Sequence, residues 1–360
     1  MQQPFPEFEK NFGFGFMRLP MLETGEVDIP QAMQMVDLFL EQGFSYFDTA
    51  HGYLDGKSER ALRTCLTSRY PRQRYVLTNK LSANFFKTEA DIRPLFQQQL
   101  DACGVEYFDF YLMHALSQTR LPQYRQARAF ETAQALKAEG KIRHIGISFH
   151  DSAEVLEGIL QEFPMIEVVQ LQFNYLDFKD EKVQSEKCYQ VCRKYGKPVL
   201  VMEPVKGGAL VDLPPQAQSI FSELKGGSNA SYAIRYAAGF PGVAMVLSGM
   251  STLAQVQDNL SFMAHFQPLT EQEQRAVAQV AGILRCQDTI ACTACRYCTE
   301  VCPQNIPIPE LFAAENQRRQ GLSPAPITGT SPADCLGCGK CEDACPQTLP
   351  IRALLAAIGR

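Results

Sequence analysis

The sequence predicts an α/β chain: a (β/α)8 TIM barrel followed by a small, loop-rich domain held together by metal ligation. Three observations predict it. Eight short apolar runs alternate with helical patterns through the first 285 of 360 residues. Eight of the thirteen cysteines then fall in two identical C-x2-C-x2-C-x3-C-P runs. The flanks of those runs also repeat, CPQNIPIPELFAA from Cys302 and CPQTLPIRALLAA from Cys345.

The strand candidates are FGFGFM (12–17), FSYFDTA (44–50), RYVLTNK (74–80), FDFYLMH (108–114), IRHIGIS (142–148), EVVQLQF (167–173), PVLVMEP (198–204) and VAMVLSG (243–249). In the first helical pattern Ile29, Met33, Val36 and Leu40 share a face, with Asp28 as N-cap and Gly43 as stop. Eight strands alternating with helices argue for a closed barrel. A doubly wound open sheet would bring a G-x-G-x-x-G turn into a helix. Gly13 and Gly15 give only G-x-G, followed by Phe16-Met17-Arg18, which disfavours it. The expected domains are 1–285 and 286–360.

The cysteine runs are Cys292, Cys295, Cys298, Cys302 with Pro303, and Cys335, Cys338, Cys341, Cys345 with Pro346. This is the ligand spacing of a bacterial two-cluster ferredoxin, so two [4Fe-4S] clusters are expected. Three cysteines two residues apart wrap one cubane. The fourth is expected where a helix begins, a start that proline fits. In two-cluster ferredoxins the fourth cysteine crosses over. Cys292, Cys295, Cys298 and Cys345 would then hold one cluster, and Cys335, Cys338, Cys341 and Cys302 the other. The duplication suggests a ferredoxin-like domain of two halves about a pseudo-twofold axis. A disulfide framework would need a secreted chain, and zinc usually takes separated C-x2-C pairs. A region this small needs the folding energy that ligation supplies. GLSPAPITGTSP, between the runs, reads as a loop.

Net charge is −5, and Arg318-Arg319 is too short to be a nucleic-acid patch. MQQPFPEFEK has no apolar signal region and no run reaches membrane-spanning length, so a reducing cytoplasm is expected. Cys188 and Cys192 share a helix face and read as buried free thiols rather than a metal pair. Cys65 and Cys103 read as core, and Cys286 as a neighbour of the cluster region. His51 and His150 are placed near the barrel rim; His144 and His265 read as structural.

Barrel enzymes carry chemistry at the carboxyl ends of their strands. There the second strand delivers Asp48 with Tyr53 beyond it, the third Lys80 and the fourth His114. Each alone is ordinary, since a lone histidine after apolar residues is usually a satisfied core residue. Four on successive strand ends are harder to dismiss. The segments FDTAHGYLDGKSER (47–60), LTNKL (77–81), FDFYLMH, GKIRHIGIS (140–148) and QFNYLD (172–177), in this order, resemble the aldo/keto reductase family over roughly residues 10–265. The whole chain resembles that family's iron–sulfur members.

The resemblance implies a catalytic tetrad of Asp48, Tyr53, Lys80 and His114. Tyr53 would donate a proton to a carbonyl oxygen, Lys80 would favour its phenolate, Asp48 would hold Lys80, and His114 would orient the carbonyl. It also implies NADP or NAD contacts at Ser148, Gln170, Met202, Glu203, Pro204 and from Ser248 through Gln255, Asp258 and Asn259, with Gln170 on the carboxamide. This chain departs from the pattern in three places. Met202 stands where many members stack a tyrosine, Phe149 replaces an asparagine, and Gln255 stands where arginine grips the 2′-phosphate. A small preference between NADP and NAD follows.

Nicotinamide gives up two electrons together and a cluster takes one at a time, so the two halves sit awkwardly without a flavin. The expected function is reduction of a small aldehyde or ketone by hydride transfer, with the clusters serving structure or sensing. The alternatives are electron exchange with a redox partner protein through the clusters, or a nucleotide-binding regulatory module without turnover. The substrate and the oligomeric state are not encoded legibly.

Overall fold

The computed structural model describes residues 4–224, 226–319, 323–324, 326–327 and 329–358, so part of GLSPAPITGTSP lies outside the described residues. The chain forms two compact units, 1–204 with 224–277, and 205–223 with 278–360.

In the first unit eight parallel strands close a barrel in sequence order. They are β1 (Phe12–Gly15), β2 (Tyr46–Asp48), β3 (Val76–Leu81), β4 (Phe108–Leu116), β5 (Ile142–Phe149), β6 (Val168–Gln172), β7 (Val199–Met202) and β8 (Val243–Gly249). Each predicted apolar run supplies one strand. The helices between them are α1 (Ile29–Glu41), α2 (Lys57–Leu62), α3 (Glu89–Cys103), α4 (Leu121–Gln126), α5 (Ala129–Ala138), α6 (Ala153–Glu162) and α7 (Ser185–Lys194). After α8 (Pro215–Ser222), which belongs to the second unit, come α9 (Asn229–Ala238), α10 (Leu253–Met263) and α11 (Glu271–Arg285), whose residues from Ala278 on fall in the second unit. Strands covered on both sides are buried along their length, and β3 and β4 are buried at every position, so the polar residues they carry, Thr78, Asn79, Lys80, Asp109 and His114, are buried with them.

Helix α1 shows how the local rules act. Asp28 caps it, accepting from the Gln31 amide at 3.1 Å, and Gly43 takes the left-handed conformation at φ 76° just past its end. Its buried face is Ala32, Met35, Val36, Phe39 and Leu40, rotated from the expected stripe, so Ile29 and Met33 are only half-buried.

The barrel interior holds a feature the pattern did not announce. Phe5 and Phe8, from the segment before β1, join its core with Tyr46, Phe110, Leu200 and Met245. Phe5 meets Phe110 edge-on at 5.0 Å, and Phe8 meets Tyr46 at 5.4 Å.

The second unit carries α12 (Tyr297–Glu300), α13 (Ile308–Arg319), α14 (Lys340–Ala344) and α15 (Ile351–Ile358). The internal repeat extends to the backbone. Left-handed residues recur at one constant offset: Ala294 and Gly337, Arg296 and Gly339, Asn305 and Thr348. Helix starts Ile308 and Ile351 follow the same offset. One expectation is corrected. No helix begins at the fourth cysteine; α12 ends before Cys302 and α13 starts only at Ile308. Left-handed Asn305 lies between them and turns the chain first.

Candidate active site and cluster ligands

The four expected site residues converge at the carboxyl ends of β2, β3 and β4. Lys80 is fully buried, and its Nζ donates to Asp48 Oδ1 at 2.6 Å, Thr49 O at 2.9 Å and Tyr53 Oη at 3.2 Å. The ammonium also lies 4.7 Å from the Tyr53 ring centre. Burial pulls the Lys80 ammonium below its ordinary pKa and pushes the Asp48 carboxyl up, while the ion pair opposes both. The His114 ring packs edge-on against Tyr53 at 5.8 Å.

A break in the ladder aims His114. Its neighbour Ala115 has φ 51°, the β4–β5 register shifts between Met113 and Leu116, and the Ala115 amide donates to Ser148 Oγ at 3.0 Å. His114 Nδ1 sits 2.6 Å from Ser82 Oγ. Burial, then the charges of Lys80 and Arg120, hold His114 well below the ordinary histidine pKa, so the ring is neutral. His150 is likewise pushed down to about 3, by burial and then Arg120.

The remaining rim residues are polar and mostly buried. Gln170 Nε2 reaches Asp48 Oδ2 at 3.4 Å. Asn259, on α10, is buried rather than on the helix surface and donates to Ser248 Oγ at 2.9 Å. Asp258 accepts from Ser228 Oγ at 2.7 Å, and Gln255 Oε1 accepts from the Ser251 amide at 2.7 Å. Met202 is half-buried at the end of β7, followed by left-handed Glu203 at φ 57° and buried Pro204. Amide and hydroxyl groups of this kind suit the carboxamide and ribose hydroxyls of a nicotinamide nucleotide. The sequence reading missed Arg18. Its side chain packs where a Gly249 Cβ would lie, 3.0 Å from its Cδ; its carbonyl accepts from Ser251 Oγ at 2.8 Å; its Nη2 is 3.6 Å from Glu203. A guanidinium therefore stands beside a stretch that carries no basic residue of its own.

His51 Nδ1 lies 2.8 Å from Glu59 Oε2 and its ring packs on Phe85. Cys65, Cys103, Cys188 and Cys192 are buried free thiols, and burial pushes Cys65 up to about 11 and Cys188 to about 12.

In the second unit Cys302, Cys335, Cys338 and Cys341 line one pocket. This is one of the two crossed sets. Burial raises the Cys298 thiol to about 12, and the neighbouring thiols that add to this are Cys292 and Cys345, of its own crossed set, and Cys341, of the other. Burial raises the Cys345 thiol while the nearby Leu349, Gln347 and Thr348 amides act against that rise, and the Ala294 amide donates to Cys292 Sγ at 3.4 Å. Such donors suit a thiolate. Among the described residues no three His, Cys, Asp or Glu side chains converge tightly enough for a single ion. Cys302, Cys335, Cys338 and Cys341 line a space rather than meet at a point, the donor arrangement a cubane fits.

A closed parallel barrel with an acid, an amine, a phenol and an imidazole gathered at one rim, and a cysteine-rich domain after it, defines a barrel oxidoreductase with an iron–sulfur appendage. Residues 11–281 match the aldo/keto reductase family and residues 291–349 a 4Fe-4S dicluster domain. The chain belongs to the aldo/keto reductase family. It is 25% identical over 292 residues to L-galactose dehydrogenase of Arabidopsis thaliana, spanning 76% of this chain and 89% of that one. It is 23% identical over 309 residues to the uncharacterized oxidoreductase YqkF of Bacillus subtilis, spanning 72% and 95%. The holo form of aldo-keto reductase AKR11C1 from Bacillus halodurans superposes with a TM-score of 0.64 at 25% identity, over 78% of this chain and 95% of its own. An aldo-keto reductase from Klebsiella pneumoniae in complex with NADPH shares the fold with a TM-score of 0.63 at 18% identity, over 78% and 96%. Among the described residues no helix is long and apolar enough to cross a membrane.

Proposed function

We propose that the chain reduces a small aldehyde or ketone with a hydride from NADPH or NADH, and that its C-terminal cysteines hold two [4Fe-4S] clusters. One observation carries the reductase reading: buried Lys80 bridges Asp48 Oδ1 at 2.6 Å and Tyr53 Oη at 3.2 Å. A reduced nicotinamide, when bound, supplies the hydride to the carbonyl carbon. Tyr53 gives its hydroxyl proton to the carbonyl oxygen, completing an alcohol. The Lys80 ammonium stabilises the phenolate left behind, and Asp48 holds that ammonium charged and in place. A neutral His114 whose Nδ1 accepts from the Ser82 hydroxyl would carry its hydrogen on Nε2 and donate it to the carbonyl oxygen, fixing the approach of the substrate. Ser148 and Gln170 would hold the carboxamide, Met202 would pack on the nicotinamide ring, and Ser248, Gln255, Asp258 and Asn259 would line the adenosine side.

Tyr53→Phe tests this. Carbonyl reduction should fall about 10²–10⁴-fold while the Kd for NADPH, read by fluorescence quenching, stays within twofold. Turnover close to that of the unmutated protein would remove Tyr53 from the role.

A further inference from the structure

The internal repeat lets one cluster loop be compared with the other, and the two differ in how far they are covered. Thr293 follows Cys292 and is 2% exposed, while Leu336, at the matching place after Cys335, is 66% exposed. Cys295 is half-buried and its counterpart Cys338 is exposed. The segment 205–223 makes the difference. Lys206 and Gly207 form a left-handed pair, φ 50° and 63°, and a Cβ on Gly207 would lie 2.5 Å from Thr293 O. Only glycine allows so close an approach. Lys206 is buried, and its Nζ lies 3.5 Å from Gln347 Oε1, two residues past Cys345. Thr293 and Gln347 thus flank Cys292 and Cys345, ligands of the same proposed cluster. Among the described residues Leu336 meets no such cover, and it lines the pocket of the other set.

We propose that the two clusters are inequivalent by construction: the Lys206–Gly207 turn shields the cluster of Cys292, Cys295, Cys298 and Cys345 and places a buried ammonium beside it, so that Lys206 sets the reduction potential of that cluster alone. This rests on the reading of the eight cysteines as ligands of two clusters. Each cluster takes one electron, passing from the 2+ to the 1+ core, and adds one negative charge. Local charge, hydrogen bonding and solvent access set the potential of that step. A buried cation favours the reduced form, so Lys206 raises the potential of the shielded cluster.

The test uses the full chain with its clusters reconstituted anaerobically. Iron and acid-labile sulfide are measured first; content for only one cluster sinks the underlying reading. Dithionite then titrates the protein through mediators, followed by EPR. The unmutated chain should show two separate one-electron waves. Lys206→Met should move one wave to lower potential and leave the other, while Lys206→Arg leaves both in place. Leu336→Lys, which puts a cation at the matching place beside the open cluster, should raise the wave that Lys206→Met does not move. Coincident waves in the unmutated chain overturn the inference. So does a Lys206→Met shift of neither wave or of both, or a Leu336→Lys shift of the wave that Lys206→Met lowers.

Discussion

Lys80 is placed by side chains that stand behind it. Its amide donates to Asn79 Oδ1 at 2.8 Å and its carbonyl accepts from Gln99 Nε2 at 2.9 Å. Gln99 Oε1 accepts from Tyr111 Oη at 2.6 Å, and Asn79 Nδ2 donates to buried Glu59 at 2.8 Å. Both backbone groups of the lysine are thus held by a buried network, which costs more to break than to lack. Gln99→Leu should lower kcat about ten- to a hundredfold with the nucleotide Kd unchanged. Unchanged kcat would show that the lysine needs no such support. Arg18→Ala should raise the nucleotide Kd about tenfold, the loss expected from one charge-assisted hydrogen bond; calorimetry giving equal affinities would place Arg18 outside the site. At this scale the sequence showed which chemistry-bearing residues reach the rim, because Asp48, Lys80 and His114 sit at the ends of apolar runs and Tyr53 lies just past one. It did not show the support. Glu59 lies within the motif 47–60, yet its partner Asn79 is twenty residues away, and no local pattern announces a contact of that range. Arg18 was invisible for the same reason: it reaches a loop more than two hundred residues away in the chain.

Strand identity was the most legible property of the elements, since eight buried parallel strands write themselves as eight apolar runs. Their packing was less so. Gly146 on β5 is one example: a Cβ there would lie 2.5 Å from both Leu112 Cδ2 and Val168 Cγ1. Gly146→Ala should cost about 1–3 kcal/mol, seen in chemical denaturation of the barrel; an unchanged midpoint would contradict that packing. The segment before β1 holds two phenylalanines, Phe5 and Phe8, set apart by Pro6 and Glu7, so no apolar run announces their burial. In the structure His144 ties it down, with Nε2 2.8 Å from Glu7 and Nδ1 3.2 Å from Glu167. Burial lowers the His144 pKa, but the hydrogen bonds to Glu167 and Glu7 outweigh it and hold it above the ordinary value. A raised folded-state value means that the stabilisation is complete below about pH 6.5 and is lost as pH rises through the raised value. Hydrogen exchange at residues 5–10, corrected for the intrinsic rate, should therefore show falling protection on the alkaline side, and the effect should vanish in His144→Gln. Protection independent of pH would detach the segment from this histidine.

For the whole molecule, the cysteine count announced the second unit more clearly than any apolar pattern could. Ligand spacing is a local constraint, and duplication doubled the signal. What stayed hidden was that 205–223 belongs with that unit, because its ties to Thr293 and Gln347 cross long stretches of chain. If ligation supplies the folding energy of this unit, oxidation followed by iron chelation should abolish its α13 and α15 helicity while the barrel still unfolds in its own transition. Retained helicity in the iron-free chain would show that burial of Ile306, Phe312 and Leu355 suffices. The central claim is that hydride goes to a carbonyl and not to the clusters. The most direct measurement is anaerobic mixing of the cluster-loaded chain with NADPH and then NADH, following nicotinamide and cluster absorbance before and after a panel of aldehydes and ketones is added. The account predicts that nicotinamide is oxidised only once a carbonyl is present and that the cluster band holds. Bleaching of the clusters by nicotinamide alone would contradict it and make the chain an electron-transfer protein.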